Sequence, residues 1–155
     1  MALKTYFLYL GPSLCQDGDV LLENDNTPYI YFSDKWRPIC GHYFWDNNRG
    51  ATLFCKKLGF TTGEVFGKDD GKQYGNVEAF WIGKCKDSDN YFPSAKDDDH
   101  NCNGGCNDFK LGRRCSKFGS FSKCGAHEKV KITIKCHPSD NGKKSVSSCT
   151  TRGND

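Results

Sequence analysis

Ten cysteines in 155 residues dominate the chemistry open to this sequence. An even count at this density, in a short chain, predicts disulfides and with them an oxidising compartment. Six of the ten have distinctive contexts. Cys40 closes Trp36-Arg37-Pro38-Ile39-Cys40, Cys55 opens Cys55-Lys56-Lys57-Leu58-Gly59-Phe60, and Cys85 closes Phe80-Trp81-Ile82-Gly83-Lys84-Cys85. Cys115 follows Arg113-Arg114, Cys124 opens Cys124-Gly125-Ala126-His127-Glu128, and Cys136 ends an alternating run.

Charge is the second patterned feature. Residues 61–109 hold five lysines against ten carboxylates, whereas residues 110–155 hold eleven Lys and Arg against three. A segment of net −5 therefore precedes one of net +8, although the whole chain carries only +3. The basic set is Lys110, Arg113, Arg114, Lys117, Lys123, Lys129, Lys131 and Lys135. Paired guanidinium groups such as Arg113-Arg114 can grip sulfate, phosphate or carboxylate in bidentate fashion. The ligand-binding residues read from the sequence are Arg113, Arg114, Lys117, Lys129, Lys131 and Lys135, and the competing reading is a solvated basic face.

The acidic clusters are Asp69-Asp70, Asp87 with Asp89, and Asp97, Asp98 and Asp99. Oxygen-rich loops suit Ca²⁺, which takes six to eight oxygen ligands. Asp97, Asp98 and Asp99 are the weak metal candidates, set against a merely soluble loop. His100, Cys102 and Cys106 have a spacing that could contribute to a zinc site, but in an oxidising compartment the two thiols are expected to be joined. Nucleophilic catalysis needs an activated Ser or Cys beside a base. The serines lie in turns or in the tail, and the even cysteine count leaves no obvious free thiol, so no enzyme activity is expected.

The elements that must position these groups follow from periodicity. One domain is the default at this length. The hydrophobic share of 36% and mean hydropathy of −0.71 are low for a chain that must bury a core, and cross-links offer compensation. Val20-Leu21-Leu22 and the run Tyr29 to Phe32 read as neighbouring strands. Residues 46–58 read as the main helix, capped by Asp46, with Ala51, Phe54, Cys55 and Leu58 on one apolar stripe and Gly59 at the C-terminal position. Residues 78–82 read as a short strand and residues 86–109 as a long polar loop. Residues 129–136 alternate cleanly, with Lys129, Lys131, Thr133 and Lys135 on one face and Val130, Ile132, Ile134 and Cys136 on the other. No run approaches the ~20 apolar residues of a membrane-spanning helix, so no membrane insertion is expected.

In this order the motifs resemble the scavenger receptor cysteine-rich (SRCR) domain family. The elements are Trp36/Cys40, Cys55/Leu58/Gly59, Trp81/Cys85, Cys115, and Cys124/Glu128/Cys136, across residues 19–136. The resemblance is to the six-cysteine group, because Phe60 stands where the larger group has a cysteine after Leu-Gly. The resemblance implies the pairs Cys40–Cys124, Cys55–Cys136 and Cys85–Cys115, which sequence alone does not select from the alternatives. Cys102 and Cys106 then suit a local bridge, and Cys15 and Cys149 remain to join the two extensions. Many members bind Ca²⁺ through two aspartates just after the Trp-x-x-x-Cys cysteine together with the late glutamate. Here those positions are Gly41 and His42, and only Glu128 is kept, so the usual site is expected to be broken and no cofactor is called for.

The expected architecture is α+β: a curved, mostly antiparallel sheet cradling one main helix, with long disulfide-pinned loops. Residues 1–18 are an extension, residues 19–138 the SRCR-like domain and residues 139–155 a tail that is loose unless Cys149 ties it down. The resemblance and the basic set imply an extracellular module that is secreted or part of a receptor ectodomain, recognising polyanions or acidic protein surfaces. The alternative is a secreted, disulfide-stapled effector (a toxin, inhibitor or matrix protein) aimed at one specific protein.

Overall fold

The structure, a computed structural model, describes residues 14–41, 43–69, 79–90, 92, 131–138 and 145–150. Seven strands and one α-helix make up the regular part of these residues. In chain order they are β1 (Val20–Leu22), β2 (Pro28–Phe32), β3 (Lys35–Cys40), α1 (Arg49–Lys57), β4 (Thr62–Asp69), β5 (Phe80–Trp81), β6 (Lys131–His137) and β7 (Val146–Ser147). Five strands form one sheet in the order β5-β3-β2-β1-β7, and β4 pairs with β6 in a second. All neighbours are antiparallel except β3 and β5. The fold is α+β with antiparallel sheets, one α-helix and disulfide staples.

The β2–β3 hairpin turns on Ser33 and Asp34, with Phe32 opposite Lys35. Both turn residues have positive φ, 50° and 62°. That geometry matches the right-handed twist of the flanking strands. Asp17 holds the turn by accepting from the Ser33 amide at 2.9 Å.

The helix starts later than the sequence predicts. Asp46 closes a short 3-10 turn, Phe44–Asp46, and α1 begins at Arg49 with no side-chain hydrogen bond from its N-cap, Asn48. Two asparagines explain the shift. Asn47 Oδ1 accepts from the Arg49 amide at 2.9 Å, while Asn48 Oδ1 is spent on the Val65 amide of β4 at 3.0 Å. The C-terminus follows expectation. Gly59 has φ 93°, its amide donates to Lys56 O, and the Phe60 amide donates to Cys55 O. These are the two bonds of a Schellman ending, which glycine permits without steric cost.

The stripe on α1 buries Ala51, Phe54 and Cys55 fully, with Leu53 beside them. They meet Val20, Ile30, Ile39, Phe80, Ile82, Ile132 and Ile134 in one core. Each large aliphatic or aromatic side chain removed from water contributes about 1.5–3 kcal/mol. Phe92 also enters this core, edge-on to Phe54 at 5.6 Å and to Phe44 at 6.5 Å. It lies in the stretch read from sequence as polar loop, so that loop carries an apolar anchor. Ahead of it, Asp89 Oδ2 accepts from the Lys86 amide at 2.8 Å, and the Arg49 guanidinium grips the Asp89 carbonyl at 2.9 and 2.5 Å.

Two disulfides join described residues. Cys55–Cys136 links the buried face of α1 to that of β6, and Cys15–Cys149 links the segment before β1 to the segment after β7. Cys40 and Cys85 are also disulfide-bonded. The expected pairs Cys40–Cys124, Cys85–Cys115 and Cys102–Cys106 each include residues outside the described ones.

The segments before β1 and around β7 are fastened by more than sulfur. β7 pairs with β1, and Leu14 bridges Thr150. Ser148 Oγ donates to Asp19 at 2.8 Å and accepts from the Val20 amide at 2.9 Å. Lys57 donates to the Gly18 carbonyl in the same corner. Burial holds the Lys57 ammonium below the ordinary lysine value, against the pull of Asp19.

Candidate binding face

β6 sorts its side chains by alternation. Ile132, Ile134 and Cys136 are buried, while Lys131, Thr133, Lys135 and His137 form the outer row. Three contacts fix the strand. Cys136 is bonded to α1, the Ile134 amide donates to Asn26 O at 2.9 Å, and β4 lies antiparallel along one edge.

β4 is shaped to sit close under α1. A Cβ on Gly63 would fall 2.4 Å from Cys55 Sγ and 2.5 Å from Ala51 O, so only glycine fits. The free edge of β4 is closed by helix side chains. Thr52 Oγ1 accepts from the Gly63 amide at 3.3 Å and donates to Gly63 O at 3.0 Å, beside the Asn48 contact to Val65. This sealing keeps unpaired strand amides from other chains. A bulge between Val65 and Gly67 then shifts the register, and Phe66, the extra residue, is 54% exposed. Beyond the bulge Lys68 Nζ lies 4.3 Å from the centroid of the Trp45 ring, a cation–π contact that ties β4 to the 3-10 turn.

The outer row is not purely cationic. Lys131 Nζ stands 3.7 Å from Asp25 Oδ2 in the β1–β2 turn, and the register sets Asp69 opposite Lys131. Burial pushes the Asp25 carboxyl up, but the Thr27 amide and the Lys131 ammonium outweigh it and hold the group below the ordinary carboxylate value. At the other end Glu64 is the register partner of Lys135, and His137 Nε2 lies 3.1 Å from Glu64 Oε1. Both members of that last pair are nearly half exposed.

Lys131 and Lys135 are thus brought onto one solvent-facing strip, each with a carboxylate near it. Arg113, Arg114, Lys117 and Lys129 lie outside the described residues, as do the metal candidates Asp97, Asp98 and Asp99 and the residues His42, His100, Cys102, Cys106 and Glu128. Among the described residues no group of three or more His, Cys, Asp or Glu side chains is placed to hold a metal ion. Among them, too, no helix is long and apolar enough to cross a membrane.

Sequence reasoning missed Asp25, Glu64 and His137 as members of this face. The alternation of β6 extends to His137 and could have included it. Asp25 read only as part of a turn, and Glu64 could not be placed without β4. Comparison of the chain with protein-family models, with curated proteins and with solved structures gives no match.

Proposed function

We propose that this chain is an extracellular binding module of SRCR type that engages polyanionic ligands through the outer face of β6 and the basic residues that precede it in sequence. The observation that carries the reading is the row Lys131, Thr133, Lys135 and His137, held toward solvent by the burial of Ile132, Ile134 and Cys136. The Cys55–Cys136 disulfide, the pair that the family resemblance implies, supports the SRCR assignment. Disulfides are compatible with secretion and with recognition outside the cell. Binding is by surface complementarity, with no bond made or broken. Each exposed charge contact contributes on the order of 1 kcal/mol or less, so affinity comes from several acting together.

A second reading is favoured by one specific observation. Asp25 and Glu64 place negative charge within the same face, and mixed signs fit a single protein partner better than a uniform polyanion. Heparin retention separates the two. The polyanion reading expects retention that falls steeply between about 50 and about 200 mM salt and weakens in the Arg113→Ala/Arg114→Ala double variant without loss of fold. Retention that ignores salt, or that is unchanged in the double variant, would remove the polyanion reading and leave the specific partner.

A further inference from the structure

We infer that His137 sets the charge of the binding face, so that acidification strengthens its hold on polyanions. The inference rests on the polyanion reading above and adds its regulation. Three groups meet at one end of the β4–β6 ribbon. Glu64 is opposite Lys135 in register, and its Oε1 lies 3.1 Å from His137 Nε2. Lys135 and His137 are two residues apart on the same side of β6, roughly 7 Å along the strand.

With the imidazole neutral, the Glu64 carboxylate offsets the Lys135 ammonium, and the cluster sums to zero. With the imidazole protonated, one carboxylate stands against two cations, the His137 imidazolium in contact with it and the Lys135 ammonium opposite in register, and one positive charge is left over. Histidine is the side chain whose charge ordinarily changes between about pH 5 and 8. The pair is exposed enough to exchange protons and meet a ligand. Among the described residues, β6 carries one further charged side chain on this side of the ribbon, Lys131 at its opposite end, with Asp25 beside it. Helix α1 packs on the other side, where Gly63 meets Ala51 and Cys55. The local charge change therefore depends on His137.

The test is heparin retention at constant ionic strength, at about pH 7.5 and about pH 5.5. The wild type is expected to bind roughly threefold tighter at the lower pH, the factor that one exposed charge contact supplies. His137→Gln should lose that increment, and the other histidines are controlled for because the quantity read is the difference between wild type and variant. Glu64→Gln should already bind roughly threefold tighter than wild type at the higher pH, since it leaves the Lys135 charge without its offset. A gain of that sign is not what a merely structural glutamate would give. Retention at both pH values with an equal acid increment in wild type and His137→Gln would overturn the inference and leave the polyanion reading standing. No retention at either pH would overturn both.

Discussion

Replacing Gly63 by alanine tests how closely α1 must approach the β4–β6 ribbon that carries the proposed binding face. The new Cβ would sit 2.4 Å from Cys55 Sγ and 2.5 Å from Ala51 O. Carbon makes comfortable contact with such atoms at about 3.5–4.0 Å, so each approach is too short by more than about 1 Å. Neither neighbour can swing aside. The sulfur is tied to Cys136 on the facing strand, and the oxygen belongs to the backbone of α1. The helix and β4 must therefore separate, stretching the Thr52 bonds to both polar groups of Gly63. Overpacking of this kind costs about 1–3 kcal/mol, and two immobile neighbours place the change near the top of that range. Loss of glycine's freedom in the unfolded chain returns about 0.4–1 kcal/mol. The net expectation is about 2 kcal/mol, or a fall in Tm of roughly 4–8 °C for a chain of this size. Gly59→Ala is the control for backbone strain alone, because a Cβ there meets nothing within 4 Å while its φ is 93°. Thermal unfolding followed by near-ultraviolet circular dichroism would read all three proteins. A Tm of Gly63→Ala within a degree or so of wild type would refute the claimed approach of helix and strand.

The double variant Cys15→Ser/Cys149→Ser should release β7 while the core stays folded. Amide exchange is expected to quicken at Val20 and Ser148, which bond across that seam, and to stay slow at Ile132 and Ile134. Equal loss of protection at all four would show the clasp to be part of the core. Lys57→Met addresses the buried ammonium. The group's folded value lies below 10.5, so just below that pH the unfolded chain binds the extra proton and wild-type stability rises with pH. Denaturant titrations between about pH 8 and 10.5 should show that rise reduced in the variant, and identical slopes in the two proteins would contradict the assignment.

How far the fold could be read from sequence depends on whether each strand kept its period. β1, β2, the helix stripe and β6 did, and all four are present. β4 did not. Gly63 and Gly67 interrupt it, and the bulge at the exposed Phe66 reverses the alternation from Gly67 onward, setting Gly67 opposite Thr133 of the outer row. Its glycines answer to α1 and to Thr133, whose Oγ1 would lie 2.0 Å from a Cβ on Gly67. These are tertiary demands with no local signature. β3 carries Pro38 and the buried Arg37, both poor markers of a strand, yet β5 pairs only with Ile39 and Cys40, beyond the proline. β7 is two residues of a serine-rich tail, made a strand by its place between Ser145 and the bridged Cys149.

The candidate face shows a sharper limit. Alternation alone turned Lys131 and Lys135 outward, and the net charge of residues 110–155 suggested a cationic surface. A face, however, is assembled from whichever segments the fold lays side by side. Antiparallel pairing brings Glu64, from the acidic segment, opposite Lys135, and the β1–β2 turn brings Asp25 to Lys131. The lysines of a basic stretch thereby acquire counter-charges from elsewhere in the chain, and the net charge of a segment stops predicting the charge of the surface it lines. What is then left to distinguish one end of the ribbon from the other is the histidine. Lys131 is matched by Asp25, whose carboxyl is held below its ordinary value, whereas the carboxylate opposite Lys135 in register meets His137, a residue type whose charge changes near neutral pH. On the proposed reading, the pairing that weakens a permanently cationic face supplies a conditional one, and the proposal then rests less on the number of lysines than on the contact between Glu64 and His137.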